Sequence, residues 1–332
     1  MKAIILAGGS GQRFWPLSDP GTPKQFLKLL EDRSLIRTTY DRIRSHFQPS
    51  DIYVITNVDQ ISMTKEHLPE LPERNIIGEP EGKNTAPACI LGTLAIGDEE
   101  NQLVVPADHH ISDPDSFWRS FEVGKKALET GDYLITFGIK PSRPETGYGY
   151  VEKGERIDGS LYKVNSFREK PDRKTAVEFI KSGRFFWNSG MFMWKGSTLI
   201  SELERYNEKL LKSLKGIDWT SKEQLKKAYS SLEKISIDNA VMENSDKVMM
   251  VEGDFPWNDL GSWLSIKELN GYSEEDENTL LHGSEDVFVH GNFRPVAVMG
   301  LRGVIVVDSP NGLLIMSEEM SQEVRRAYLK FA

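Results

Sequence analysis

The 332-residue chain is long enough for one large domain and a small one, and at 39% hydrophobic residues it can bury a sizeable core. Its net charge of -9 argues against broad nucleic-acid binding, and no apolar run approaches the roughly 20 residues of a membrane span. A single cysteine, Cys89, excludes an intrachain disulfide and, with no signal peptide after Lys2, points to a reducing cytoplasm.

The first element is an apolar strand, Ala3–Ala7, that opens into Gly8-Gly9-Ser10-Gly11-Gln12-Arg13. Glycines permit positive φ and let backbone N–H groups approach a ligand closely, which is one way to grip phosphates. Arg13 and Lys24 place cations beside that cradle, suited to a triphosphate and needed on an otherwise acidic body. The loop is neither G-x-x-x-x-G-K-[ST] nor G-x-G-x-x-G, so it is neither a P-loop nor the dinucleotide fingerprint. A tight β–α turn with two solvated cations would use the same residues.

A helical pattern follows from Gln25 to His46. Further strands are expected at Ile52–Thr56, Leu103–Pro106, Tyr133–Gly138, Lys163–Arg168, Met191–Trp194 and Lys247–Glu252. Helices are expected near Thr85–Asp98, Asp115–Thr130, Arg173–Ser182, Ser197–Leu214, Lys222–Leu232 and Asn239–Asn244. Alternating elements with nearly all-apolar strands describe an α/β fold with a mostly parallel sheet covered on both faces. In such sheets ligands sit outside the carboxyl ends of the strands, where the glycine loop, Asp108 and Glu169 all fall.

Character changes near Tyr272. The acidic, polar stretch Ser273–Asn278 reads as a linker between a domain over residues 1–271 and a small one over 279–332. After it, Val287–Val289, Val296–Val298, Val304–Val307 and Leu313–Met316 are short apolar runs separated by turns, an all-β appendage. A last helix, Glu318–Lys330, would place Met320, Val324 and Tyr328 on one face.

Two aspartates stand out. Asp108 ends the run Leu103–Ala107, where a carboxylate can hold Mg2+ against a nucleotide phosphate, or cap the next turn. Asp259, in Phe255-Pro256-Trp257-Asn258-Asp259-Leu260-Gly261, would equally cap a helix over Leu260–Leu269. His109 and His110 are adjacent and would point to opposite sides, so they make no transition-metal centre.

The pattern G-G-x-G-x-R-x-x-P, here Gly8 to Pro16, followed by Pro23-Lys24, resembles the sugar-nucleotide pyrophosphorylases, a family of nucleotidyltransferases. The resemblance runs over about Met1–Leu269. It implies a Rossmann-like sheet of the nucleotide-diphospho-sugar transferase type and an appendage like a left-handed β-helix. It also implies that Leu6, Ala7, Gly8, Gly9, Gly11, Arg13 and Lys24 wrap the nucleoside triphosphate. Glu79-Pro80-Glu81-Gly82-Lys83-Asn84-Thr85-Ala86 looks like the base-binding segment of the guanylyl branch. Guanine offers two adjacent donors, N1–H and the 2-amino group, and one carboxylate accepts both. Glu79 is the candidate reader, with Asn84, Ala86 and Asp108 on the nucleotide; Asn84 could instead cap a helix.

Three segments resemble the sugar-phosphate side. Thr146-Gly147-Tyr148-Gly149 could bring Gly147 and Tyr148 to sugar hydroxyls. In Arg168-Glu169-Lys170-Pro171, Glu169 could accept from hydroxyls while Lys170 faces the incoming phosphate. Asn188, in Trp187-Asn188-Ser189-Gly190, could both donate to and accept from a diol. Ile237-Asp238-Asn239 reads as a helix start capped by Asp238.

The family pairs aspartates like Asp108 and Asp259 on a magnesium ion, with Asp259 also near the sugar. The implied reaction joins GTP and mannose 1-phosphate into GDP-mannose and pyrophosphate, with Arg13, Lys24 and Lys170 as the catalytic cations. A sibling specificity and a catalytically inactive sensing subunit are the alternatives. The roughly 60 residues after the linker are too few for the cupin-type isomerase domain of the long bacterial relatives, so transfer without isomerase activity is expected. The β appendage is a natural surface for a homodimer.

Overall fold

The computed structural model describes residues 1–9 and 11–332; Ser10 of the glycine loop lies outside them. The chain packs as two units. One comprises Met1–Gly8, Tyr40–Ala107 and Ile111–Trp257, the other Gly9–Thr39, Asp108–His110 and Asn258–Ala332. The second unit thus joins the segment carrying Lys24 to the C-terminal residues.

The first unit is built on β1 (Lys2–Ala7), β2 (Ile52–Asn57), β3 (Ile76–Glu79) and β4 (Asn101–Pro106), then, beyond the two-residue β5 (His110–Ile111), on β6 (Leu134–Ile139), β7 (Tyr150–Asp158), β8 (Leu161–Arg168), β9 (Phe185–Lys195) and β10 (Val248–Gly253). Their order in the sheet is β3-β2-β1-β4-β9-β6-β10-β8-β7. Parallel pairing links β3, β2, β1 and β4 and links β6 to β10, while β9 and β8 pair antiparallel with their neighbours. So seven of the nine strands run one way, and only β8 and β9 are reversed.

Helices cover both faces. Phe192 and Met193 are adjacent on β9 and so point to opposite sides. Phe192 packs with Ile4, Val104, Cys89 and Leu91, the last two on the helix Thr85–Ile96. Met193 instead faces Gly124 of the helix Pro114–Leu128, so closely that its sulfur would lie 2.8 Å from a Cβ there. Burying each such side chain contributes about 1.5–3 kcal/mol.

Some elements differ from expectation. The Met191–Trp194 run is the end of an 11-residue strand, and β3 and β7 have no counterpart among the expected strands. The helix expected over Gln25–His46 is a short 3-10 turn, Lys24–Phe26, followed by a helix only from Leu35 to Arg44. Between them the second unit's core claims Leu27 and Leu29, which a continuous helix could not both deliver. The Ser197–Leu214 pattern breaks at Asn207, whose side chain accepts from Leu210 N and starts a second helix.

In the second unit, after β11 (Trp257–Asn258) and the helix Trp263–Asn270, come β12 (Thr279–His282), β13 (Phe288–His290), β14 (Val296–Met299), β15 (Val304–Ser309) and β16 (Gly312–Ser317). β12 pairs parallel with β14, and β13 with β15. Pairing each strand with the next but one is how a two-stranded coil of a β-helix stacks; β15 and β16 then close with an antiparallel hairpin. The last helix is divided, a 3-10 stretch over Glu318–Val324 and an α-helix over Arg325–Phe331. Of its expected face only Val324 is buried, and Met320 is exposed.

Phe14, Trp15, Leu27 and Leu29 share one core with Trp263, Ile266, Phe288, Ile305 and Leu314. Trp263 Nε1 donates to Trp15 O at 3.0 Å, and Ser309 Oγ to Pro16 O at 3.2 Å. The buried Lys267 ammonium is satisfied by Asp286 O and the Glu318 carboxylate.

Candidate active site

In the second unit, Gly11 sits in the left-handed region at φ 62°, with a Cβ there only 2.2 Å from Lys24 Cβ. Only glycine fits, and the close approach fixes where Lys24 begins. Lys24 is 7% exposed, with its ammonium 5.4 Å from the centre of the Phe14 ring. Its Nζ donates to Asp108 Oδ2 at 2.6 Å and to the backbone oxygen of Asp259 at 2.8 Å. Burial disfavours the charged form of Asp108, but Lys24 and then His109 outweigh it and hold the carboxyl below its ordinary range. Asp259 is not a helix cap: the helix begins at Trp263, and Asp259 Oδ1 accepts from Gly261 N at 2.9 Å.

This cluster suits a divalent cation. Asp108 is ionised, the Asp259 main chain meets the same ammonium, and oxygen donors are what magnesium takes. Among the described residues no group of three or more His, Cys, Asp or Glu is arranged to hold a metal, so phosphate oxygens and water would complete the shell. Arg13 is exposed and donates from Nη1 to Gln322 Oε1 at 2.7 Å.

In the first unit, Leu6 and Ala7 end β1, and Gly8 follows at its carboxyl end. Glu79 ends the nearby β3, buried at 4% exposure. Its Oε1 accepts from the Tyr229 hydroxyl at 3.0 Å, and its Oε2 lies 3.3 Å from where a Cβ on Gly8 would stand. Burial pushes Glu79 up to about 7, against the pull of the Tyr229 hydrogen bond. Burial, then the neighbouring Glu79 charge, pushes the Tyr229 hydroxyl well up, so it remains a donor. Asn84 does cap the helix Thr85–Ile96, its Oδ1 accepting from Thr85 N at 2.9 Å. The Ala86 N–H is committed to Ile235 O at 3.2 Å.

A second group in this unit gathers the expected sugar-side residues. Asn188 Oδ1 accepts from Thr136 Oγ1 at 2.7 Å, while its Nδ2 donates to Asp238 Oδ1 at 2.9 Å. Burial, then the charge of Glu169, pushes Asp238 up to about 7. Glu169 pairs with Lys170 at 2.9 Å, and Lys170 N donates to Tyr148 O at 3.2 Å. The Tyr148 ring stands edge-on to Trp187 and Trp257, with centroids 5.2 and 5.3 Å away. The Gly147 N–H is not open to a ligand; Glu145 Oε1 accepts it at 3.1 Å.

The structure brings Lys24 to Asp108, a pair the sequence does not suggest, and it sets Asn188 and the charge of Glu169 on the same Asp238 carboxylate. The sequence misses Tyr229, 150 positions from Glu79 on an ordinary amphipathic helix, which carries no local signal. Asp238 is legible as a motif residue, but its helix start is a short π-helix over Asp238–Met242, and its carboxylate serves Asn188.

Comparison with known proteins gives this geometry a family. The nucleotidyl transferase family matches residues 2–276. The chain belongs to that family. A domain described as MannoseP isomerase/GMP-like beta-helix matches residues 278–328. A mannose-1-phosphate guanylyltransferase from Klebsiella pneumoniae is 34% identical across 98% of this chain and 72% of its own length. The xanthan biosynthesis protein XanB of Xanthomonas campestris is 36% identical across 97% of this chain and 71% of its own. Among solved structures, a protein named mannose-1-phosphate geranyltransferase from Thermus thermophilus superposes with a TM-score of 0.87 at 30% identity, covering 99% of this chain and 98% of that one. The nucleotidyltransferase fold, its β-helix-like appendage and the enzymatic class expected from the glycine loop are all borne out.

Proposed function

We propose that the chain transfers the guanylyl group of GTP to mannose 1-phosphate, forming GDP-mannose and releasing pyrophosphate. The observation that carries the reading is the buried Lys24 ammonium held between Asp108 and the Asp259 carbonyl, on a chain whose relatives are mannose-1-phosphate guanylyltransferases. A sensing subunit would have no use for that cluster.

The sugar phosphate is already ionised, so its oxygen attacks the α-phosphorus in line without a side-chain nucleophile. The protein's part is positioning and charge neutralisation. Glu79 accepts N1–H and the 2-amino group of guanine, with Leu6, Ala7, Gly8, Asn84 and Ala86 along the nucleoside. Gly9 and Gly11 shape the phosphate loop, and Lys24 and Arg13 neutralise the departing pyrophosphate. Glu169 and Asn188, with Tyr148 beside them, hold the mannose hydroxyls, and Lys170 aligns the attacking phosphate. A magnesium ion on Asp108 and Asp259 would supply Lewis-acid neutralisation of the phosphate charge. Two chains would associate through the appendage, and the enzyme would work in the cytoplasm; no helix of the described residues is long and apolar enough to cross a membrane.

The test is pyrophosphate release with magnesium across four nucleoside triphosphates and the 1-phosphates of mannose, glucose and N-acetylglucosamine. Fast release with GTP and mannose 1-phosphate alone is expected. Equal release with another pair would remove the specificity, and no release from folded protein would remove the reading.

A further inference from the structure

We propose that Tyr229 is a positioning residue for purine discrimination: its hydroxyl holds the Glu79 carboxylate in the orientation that reads guanine. The inference rests on the reading of Glu79 given above and deepens it.

Glu79 is buried, so its orientation is set by what surrounds it. One oxygen accepts from Tyr229, and the other is turned to Gly8, at the carboxyl end of β1. The donor is itself fixed. Tyr229 is buried in the last turn of the helix Lys222–Ser230, packed in one cluster with Leu225 and Leu232. A carboxylate has about four lone-pair sites. One bond from Tyr229 leaves Oε2 and the second lone pair of Oε1 for the two guanine donors, and it stops the group from turning away.

The hydrogen bond also favours the charged form against the cost of burial, and a protonated carboxyl cannot accept both guanine donors. Cys89 of the helix Thr85–Ile96 also feels the Glu79 charge; burial, then the charges of Asp238 and Glu79, keep its thiol protonated.

Tyr229→Phe removes only the hydroxyl. The experiment is kcat/KM for GTP, inosine triphosphate and ATP through the pH range around neutrality, for wild type, Y229F, E79Q and E79Q/Y229F, with melting temperatures recorded alongside. In Y229F the preference for GTP over inosine triphosphate should fall about tenfold or more, the worth of a hydrogen bond to a charged group. The acid limb for GTP should move up by about one pH unit. A purely structural role would depress all three nucleotides alike and leave the limb in place. Adding Y229F to E79Q should cost no further discrimination.

If E79Q relaxes the preference while Y229F keeps both preference and limb, the Tyr229 assignment is overturned and the Glu79 reading stands. If E79Q itself keeps full preference for GTP, the Glu79 reading falls and takes this inference with it. An additive loss in the double variant would also overturn it.

Discussion

Lys24 and Glu79 are both buried charged side chains, and they sit on opposite sides of their own electrostatics. Lys24 has a carboxylate and a carbonyl as close partners, so its charge is matched and it can meet the charge developing on pyrophosphate without reorganisation. Lys24→Ala should lower turnover by about 10²–10³, the range for losing one electrostatic donor. Wild-type turnover in a folded K24A enzyme would end the assignment. Glu79 is less well matched, and its carboxyl rises from an ordinary 4.5 to about 7. The folded state then binds more protons than the unfolded one between those values, so stability falls as pH rises through that window. Above pH 7 the penalty is complete, of order 3 kcal/mol. Glu79→Gln should therefore raise the melting temperature at pH 8 and change it little near pH 4, while impairing GTP discrimination. A melting-temperature gain that did not depend on pH would contradict this origin. Stability set aside for a recognition group is a familiar trade.

At the scale of elements, the strand ends hold one another. Gly149, just before β7, gives its carbonyl to Asn188 N at 2.8 Å, and a Cβ on it would lie 2.6 Å from Glu169 Oε2. Gly149→Ala should swing the Glu169 carboxylate aside. The expected result is a KM for mannose 1-phosphate raised about tenfold with the KM for GTP unchanged, since one hydrogen bond to a charged group is at stake. Equal changes in both constants would mean that the whole unit had shifted. This is also the scale at which the sequence is most legible. Apolar runs announce β1, β2 and β4 because both of their faces are covered, so nearly every residue must be apolar. β7 crowds its charged residues together and is exposed along its far half, and β3 has only four residues, so neither carries enough pattern to be seen. The helix expected through Leu27 and Leu29 fails because tertiary packing takes both residues, a constraint no local window contains. For the same reason Asp108 and Lys24 can be named from their loops, whereas Tyr229 can be found only once its helix is placed.

For the molecule as a whole, what remains unaccounted for is apolar surface on the appendage. Its strands bury Val298, Val304 and Val306 in a small cluster, yet their other residues leave Met299 at 60% and Ile315 at 62% exposure, with Leu280, Leu301 and Leu313 also exposed. Met299, Leu301, Leu313 and Ile315 line one groove. Scattered exposed apolar residues need no explanation, but a contiguous set on short strands marks an interface. The homodimer proposed above would seat a second copy of the chain there, because an isologous contact joins the same patch on both partners and so matches apolar to apolar despite a net charge of -9 on each. Light scattering should therefore report twice the chain mass. Ile315→Glu, a surface change that leaves the fold's own core intact, should shift the protein toward single chains, more so at low salt, where two like charges brought together repel most. Wild-type protein running as a single chain at micromolar concentration would overturn the pairing, and an I315E variant that stays paired would place the interface elsewhere.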